Sequence, residues 1–142
     1  MKSSRHSAFM IVWVALIVWG CKPDDPFVLK GVGTWNIARS NIKNYENGSL
    51  AHDQTRIDSL GQLVFERSGR GYIVHADAQR DTITWEESLP QQRLVMYPKI
   101  GQFMNAAISD RTDNSMTLFW VNEGDEGTLH LRIETTLMIV RD

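Results

Sequence analysis

The fold is decided by the stretch LHLRIETTLMIVR at residues 129–141. Its apolar residues at 129, 131, 133, 137 and 139 share one parity, and Arg141 falls on it too, whereas His130, Arg132 and Glu134 share the other. Successive side chains of a β-strand point to opposite faces, so this alternation indicates a strand with one buried face. Similar alternation, broken by Gly, Asn and Asp, recurs after residue 30 and is typical of antiparallel sheets.

Eight strands are predicted from this alternation. A turn is expected at 44–49, and the polar segment 50–57 is interpreted as a loop, with a strand fragment as the alternative. The short connections favour an eight-stranded antiparallel up-and-down barrel, because closure removes the two free edges of an open meander. Such an interior holds side chains or one small ligand. The predicted strands lie at 33–43, 62–67, 71–77, 81–87, 93–97, 101–109, 115–122 and 129–141.

The first twenty residues form a separate segment. Lys2, Arg5 and His6 precede an unbroken apolar run at 8–19, and Gly20 and Cys21 follow. The run is shorter than the roughly 20 residues that cross a bilayer, so it favours a cleaved signal peptide over the alternative of an uncleaved membrane anchor.

The order of these residues resembles a bacterial lipoprotein signal. That resemblance implies cleavage after residue 20, acylation of Cys21 with palmitate or similar chains, and a place in the cell envelope, at the outer membrane. Cys21 is the only cysteine, and acylation accounts for an unpaired thiol in an exported chain. Residues 22–26, KPDDP, read as a tether, and also resemble a surface-export signal of Bacteroidetes lipoproteins. The predicted organisation is a signal peptide at 1–20, a lipidated tether at 21–30 and a barrel domain at 31–142.

Charge and motifs argue against several functions. Loss of Lys2 and Arg5 with the leader changes the formal net charge from −2 to −4, and the absence of a basic stretch argues against nucleic acid as a partner. No nucleophile elbow or phosphate-binding glycine loop occurs. The predicted surface histidines are not spaced as metal ligands. We therefore expect a non-enzymatic protein without a metal or cofactor.

The domain resembles bacterial lipocalin-like domains of exported Bacteroidetes lipoproteins. The resemblance is carried by the sequences GTW at 33–35, LVF at 63–65 and TW at 84–85, and by a closing strand that ends in Arg141. It implies that Trp35 lies across the closed end of the barrel and that Arg141 packs over its ring. The end of the last strand lies beside the start of the first in such a barrel, which permits this pair.

Two functions remain open on these residues. If the barrel is hollow, four aromatic residues, Tyr72, Trp85, Phe103 and Trp120, are predicted to line a cavity for a small apolar or amphipathic ligand. If the barrel is filled, the domain is expected to be a protein-interaction module, such as an envelope accessory subunit or inhibitor. Its outer face and the loops at 44–61 and 110–114 would then bind the partner.

Two short segments resemble the O-glycosylation acceptor of the Bacteroidetes, an Asp followed by Ser or Thr and an apolar residue. They are DSL at 58–60 and DTI at 81–83. The candidate acceptor residues are Ser59 and Thr82, and chance occurrence is the alternative for motifs this short.

Overall fold

The computed structural model describes residues 31–57, 60–88 and 90–141. These residues form nine β-strands, and no helix that could cross a membrane occurs among them. The predicted signal peptide, Cys21 and the tether lie outside the described residues. The strands are β1 (Gly33–Glu46), β2 (Ser49–Arg56), β3 (Gln62–Phe65), β4 (Arg70–Val74), β5 (Arg80–Ser88), β6 (Arg93–Pro98), β7 (Met104–Ser109), β8 (Ser115–Glu126) and β9 (Leu129–Val140).

Eight of these strands close into an antiparallel barrel, as predicted. The strand order is β2-β1-β3-β4-β5-β6-β7-β8-β9, and a further pairing of β1 with β9 closes the ring of β1 and β3–β9. The closing ladder runs from Asn36 opposite Val140 to Glu46 opposite Leu131. The up-and-down connectivity follows from short turns between successive strands.

The strands have unequal lengths, and this divides the molecule into two parts. The first residues of β1 pair with β3, whereas its later residues, from Ser40 to Glu46, pair with β2. β4 pairs with β3 and β5 but not with β2, and β7 pairs with β8 only through residues 117–119. Beyond these positions the ladder contains only β2, β1, β9 and β8. We call this four-stranded extension, residues 42–56 and 121–134, the overhang, and the closed barrel below it the base.

The base contains the hydrophobic core. Its inward side chains come from every strand of the ring and form one cluster. Trp35 and Ile139 are 1% and 0% exposed, and both lie on the inward parity of their strands. The most completely buried large side chains are Trp35, Phe65, Ile83, Met96, Leu118 and Ile139.

The structure corrects the sequence prediction in the overhang. Residues 49–56, predicted mainly as loop, form strand β2, and β8 continues to Glu126, beyond the strand predicted at 115–122. All eight residues of β2 are exposed, so backbone pairing with β1 holds this strand without an apolar face. Its hairpin turn is confined to Asn47 and Gly48, whose φ angles of 49° and 82° are those of a type I′ turn.

Candidate functional site

The interior of the base is filled by side chains. Trp85 lies within the cluster, its ring centroid 5.0 Å from that of Phe65. Its indole N–H donates to the carbonyl oxygens of Glu66 and Arg70, at 3.1 Å and 2.9 Å. The polar edge of the ring is therefore satisfied by the protein itself, and its apolar faces are covered by neighbouring residues. Trp85 acts as a core residue in this arrangement.

The four predicted cavity residues do not lie together. Trp85 and Trp120 belong to the core cluster, each 9% exposed. Tyr72 is paired with Thr82 and lies on the outward parity of β4. Phe103 precedes β7 and is 58% exposed. The predicted interior location is thus corrected for Tyr72 and Phe103.

A glycine explains the orientation of Tyr72. Gly71 lies on the inward parity of β4, opposite Phe65 on β3 and Ile83 on β5. A Cβ atom at this position would come within 2.4 Å of the Val64 carbonyl oxygen. The strands therefore approach too closely for a larger residue to face inward there, and Tyr72 is left on the outer surface.

Trp35 and Arg141 lie together at the lower end of the base. The guanidinium carbon of Arg141 is 4.5 Å from the Trp35 ring centroid, a cation–π geometry. Arg141 also donates to the carbonyl oxygens of Asp113 and Val32, at 2.8 Å and 3.1 Å. The Trp35 indole N–H donates to the Gly31 carbonyl oxygen at 2.9 Å. These contacts join the first strand, the last strand and the β7–β8 connection, so this end of the barrel is closed.

An ion pair also reinforces the closed end. Arg111 binds Glu87, whose side chain is only 5% exposed. Gly31 lies against this carboxylate, and a Cβ atom on Gly31 would come within 2.7 Å of the Glu87 Oε2 atom. The chain preceding β1 therefore joins the domain at the closed end, opposite the overhang.

The histidines and the predicted modification sites lie at the surface. His75 Nε2 is 2.7 Å from an Asp81 carboxylate oxygen, and His130 Nδ1 is 2.8 Å from one of Asp125. No group of three metal-ligating side chains occurs within the part of the chain that the structure describes. Thr82 is exposed on β5, and Ser59 lies outside the described residues.

The outward face of the overhang is polar and internally paired. Arg132 lies 2.9 Å from Glu134 on the same strand and 3.6 Å from Glu123, which lies opposite it across the β8–β9 ladder. The Asn41 amide, at the lower edge of this face, donates to the side chains of Asp53 and Thr55 on β2, at 2.8 Å and 2.9 Å. Exposed pairs of this kind contribute little stability individually, but they leave few polar groups on this face without partners.

The inward face of the overhang lies above the filled base and carries a row of apolar residues among polar ones, which include Glu46 of β1 and Asn122 and Glu126 of β8. Three residues of β9 and one of β1 share this face through their register, and Ile133 is 39% exposed. Asn44 lies opposite Ile133, and its amide oxygen is enclosed without a hydrogen-bond donor among the residues described here. No strand of the ring covers this face, because β4 to β7 end below it. Its apolar members, Ile42, Leu129, Leu131 and Ile133, are called the apolar strip.

A groove lies on the flank of the barrel where β7 and β8 separate. It has a volume of about 790 Å³. The β6–β7 loop, with Phe103, forms one side, and Trp120 and Asn122 of β8 line the other. Phe103 stacks on Tyr97, with ring centroids 6.2 Å apart and planes inclined by 23°.

Tyr97 is in turn held by Glu86. The Tyr97 hydroxyl donates to the Glu86 carboxylate at 3.1 Å. This hydrogen bond, together with the negative charge of Glu86 and some desolvation, raises the pKa of Tyr97 above its ordinary value of 10.0. Phe103 is therefore supported by a side chain that is itself anchored.

No protein-family model matches this chain, and no curated protein matches it either.

Proposed function

We propose that this protein is a non-enzymatic, lipid-anchored recognition module of the bacterial envelope that binds a protein partner through the inward face of the overhang. The observation that carries the proposal is the uncovered apolar strip above a base whose interior is already filled. All four residues of the strip are partly exposed, Ile133 the most, and contiguous apolar surface that water reaches is typical of an interaction site. The protein-interaction alternative is therefore favoured over a ligand held inside the barrel.

The partner that this face suits is a protein with an apolar segment flanked by polar groups. The apolar strip would be covered by the segment, which would exclude water from Leu131 and Ile133. Asn44, Glu46 and Asn122 border the strip on the same face and provide polar groups for the flanks of that segment.

The sequence supports an anchor at the opposite end. Cys21 follows a signal-like leader and precedes a proline-rich tether. The chain joins the domain at Gly31, beside Trp35. In the proposed arrangement the lipid holds the closed end towards the membrane, and the overhang extends away from it.

Site-specific photocrosslinking in intact cells tests the recognition face. A photoreactive amino acid replaces Ile133 on the apolar strip, and the matched control replaces Met138 on the outward face of the same strand. The two side chains are similarly exposed, at 39% and 42%. The proposal predicts a discrete adduct with another envelope protein from position 133 and none from position 138. Equal labelling from both positions, or an adduct only with a second copy of this chain, would contradict it.

Metabolic labelling with an alkyne fatty acid tests the anchor separately. The wild-type chain is expected to incorporate the label and to sediment with membranes, and Cys21→Ser is expected to lose the label. An unlabelled wild-type chain would exclude lipidation at Cys21 without bearing on the recognition face.

A further inference from the structure

The flank groove arises from the way β7 and β8 diverge. The two strands pair at only three positions, from Ala107 opposite Phe119 to Ser109 opposite Thr117. β8 then continues to Glu126, while the chain on the β7 side passes into the loop at 99–103. The groove between them opens on the outer surface and is lined by both aromatic and polar residues.

Trp120 differs from the other two core tryptophans. Trp35 and Trp85 donate their indole N–H groups to backbone carbonyl oxygens. Trp120 is equally part of the core and only 9% exposed, but its indole N–H has no acceptor within residues 31–57, 60–88 and 90–141. The nitrogen is not among the enclosed polar atoms that lack a partner in the described residues, so water reaches it. Since Trp120 lines the groove, this N–H is available to a bound molecule.

Arg93 and Glu123 are the charged side chains among the residues that line the groove, and their formal charges cancel. Arg93 donates to the Asn105 side chain at 2.6 Å and to its carbonyl oxygen at 2.9 Å. Glu123 lies 3.6 Å from Arg132. By contrast, the side-chain amides of Gln102 and Asn122 line the groove and make no hydrogen bond to another described residue. The lining is therefore neutral in sum, and the two amides both donate and accept hydrogen bonds.

Two aromatic side chains add apolar surface beside these amides. Phe119 is 39% exposed and Phe103 is 58% exposed, and both line the groove. Phe103 is held in place by its stacking on Tyr97. Anchored rings offer contact area at a low cost in conformational entropy.

We infer that this groove binds a neutral saccharide. The C–H face of a sugar ring can pack on Phe103 and Phe119, and its hydroxyl groups can both accept from the Trp120 N–H and pair with the amides. A wholly apolar ligand would displace water from the Trp120 N–H without supplying an acceptor, and an acidic ligand would meet the Glu123 carboxylate as well as the Arg93 guanidinium. The groove borders the apolar strip, because Asn122 lies opposite Ile133 across the β8–β9 ladder. The inference uses only groove residues and does not rest on the proposed protein partner.

The test is a binding screen on the purified chain from residue 22 with its C-terminus intact. The probes are neutral tetra- to hexasaccharides of glucose, mannose and N-acetylglucosamine, with dodecanoate and an acidic hexasaccharide as comparisons. Saturation-transfer NMR and titration calorimetry report binding. At least one neutral saccharide is expected to bind, and neither dodecanoate nor the acidic sugar is expected to compete. Failure of every neutral probe, or dodecanoate displacing the bound sugar, would overturn the inference.

Variants locate the site. Trp120→Phe keeps the ring and removes the N–H, and a tenfold loss of affinity is expected for one hydrogen bond. Asn122→Ala, at a partly exposed position, provides a second variant that does not alter the core, and it is also expected to lose affinity several-fold. Leu50→Ala on β2, at an exposed position that does not line the groove, is the matched control and should bind the sugar as the wild type does. Unchanged affinity in both groove variants would contradict the assignment, and so would an equal loss of affinity in the control.

Discussion

Ile139 and Ile133 lie on the same strand and the same parity, yet they have different surroundings. Ile139 is in the base and is 0% exposed, whereas Ile133 is in the overhang and is 39% exposed. The difference comes from neighbours on other strands, because β4 to β7 surround the first residue and end below the second. Alternation along a strand therefore indicates which face is apolar, but the lengths of distant strands decide whether that face is covered.

The largest expected difference between the two regions concerns this pair. Ile139→Ala removes a fully buried side chain and is expected to lower the free energy of unfolding by about 2–5 kcal/mol. Ile133→Ala removes one that water already reaches and is expected to cost less than about 1 kcal/mol. Urea unfolding of both variants gives the two values. Equal losses would mean that the overhang is packed as tightly as the base.

The junction between the two regions depends on Gly61. Its φ angle is +94°, and a Cβ atom there would lie 2.0 Å from the Val74 carbonyl oxygen. Gly61→Ala is therefore expected to displace backbone and to cost more than about 2 kcal/mol, beyond the strain of a positive φ angle alone. The matched change is Gly48→Ala in the overhang turn, where φ is +82° and no atom lies within 4 Å. In thermal unfolding, the melting temperature of Gly61→Ala should lie well below that of Gly48→Ala. The opposite order would contradict the close contact at Gly61.

Arginines at the two ends of the molecule should also differ. Arg141→Ala removes the contact with Trp35 and two hydrogen bonds to carbonyl oxygens, and we expect a loss of about 1–3 kcal/mol. Arg132→Ala in the overhang removes only exposed ion pairs, so we expect less than about 1 kcal/mol. Denaturant unfolding measures both losses. The midpoints of the two variants can be compared directly if their m-values equal that of the wild type. A loss for Arg132→Ala as large as that for Arg141→Ala would indicate that the outward face of the overhang contributes as much stability as the closed end.

The smallest effect concerns Tyr97, on the outer surface of the base. Its pKa is raised because its hydroxyl donates to Glu86, beside that negative charge. The folded protein therefore holds this proton more tightly than the unfolded chain does. The resulting stabilisation is complete below about pH 10, the ordinary tyrosine range, and is lost as the pH rises through the folded pKa.

Ultraviolet titration of tyrosinate measures this pKa. The wild type is expected to contain a tyrosine that ionises above its ordinary range, and Glu86→Gln should bring that ionisation down. Tyr97→Phe identifies the residue, since it removes the late component of the titration. A late component that survives Tyr97→Phe would assign the raised pKa to another tyrosine.

Much of the base could be predicted from the sequence. The alternation of β9 and the turns between strands led to an eight-stranded barrel, and the Gly-x-Trp segment and Arg141 do meet at its closed end. These features depend on the two-residue alternation of apolar side chains and on the order of the strands along the chain, and both can be read from the sequence. The inward face of a strand could be predicted wherever large apolar residues alternate with polar ones.

The overhang could not be predicted because β2 lacks that pattern. All of its residues are exposed, so no face needs apolar side chains, and only its pairing with β1 defines it as a strand. The orientation of Tyr72 was missed for a different reason, since Gly71 takes the inward position that a large residue would be expected to fill. The groove depends on where β7 and β8 separate, and the unpaired N–H of Trp120 becomes visible only in three dimensions.

Amide hydrogen exchange on the full mature chain tests the division into base and overhang most directly. Amides of the base strands, including those beside Leu118 and Ile139, are expected to exchange only through global unfolding. Amides of β2 that point away from β1 are expected to exchange many times faster, because no other strand of the described residues borders that edge. Protection along the outer edge of β2 equal to that of β9 would show that the overhang is covered, and would contradict an open recognition surface above a filled barrel.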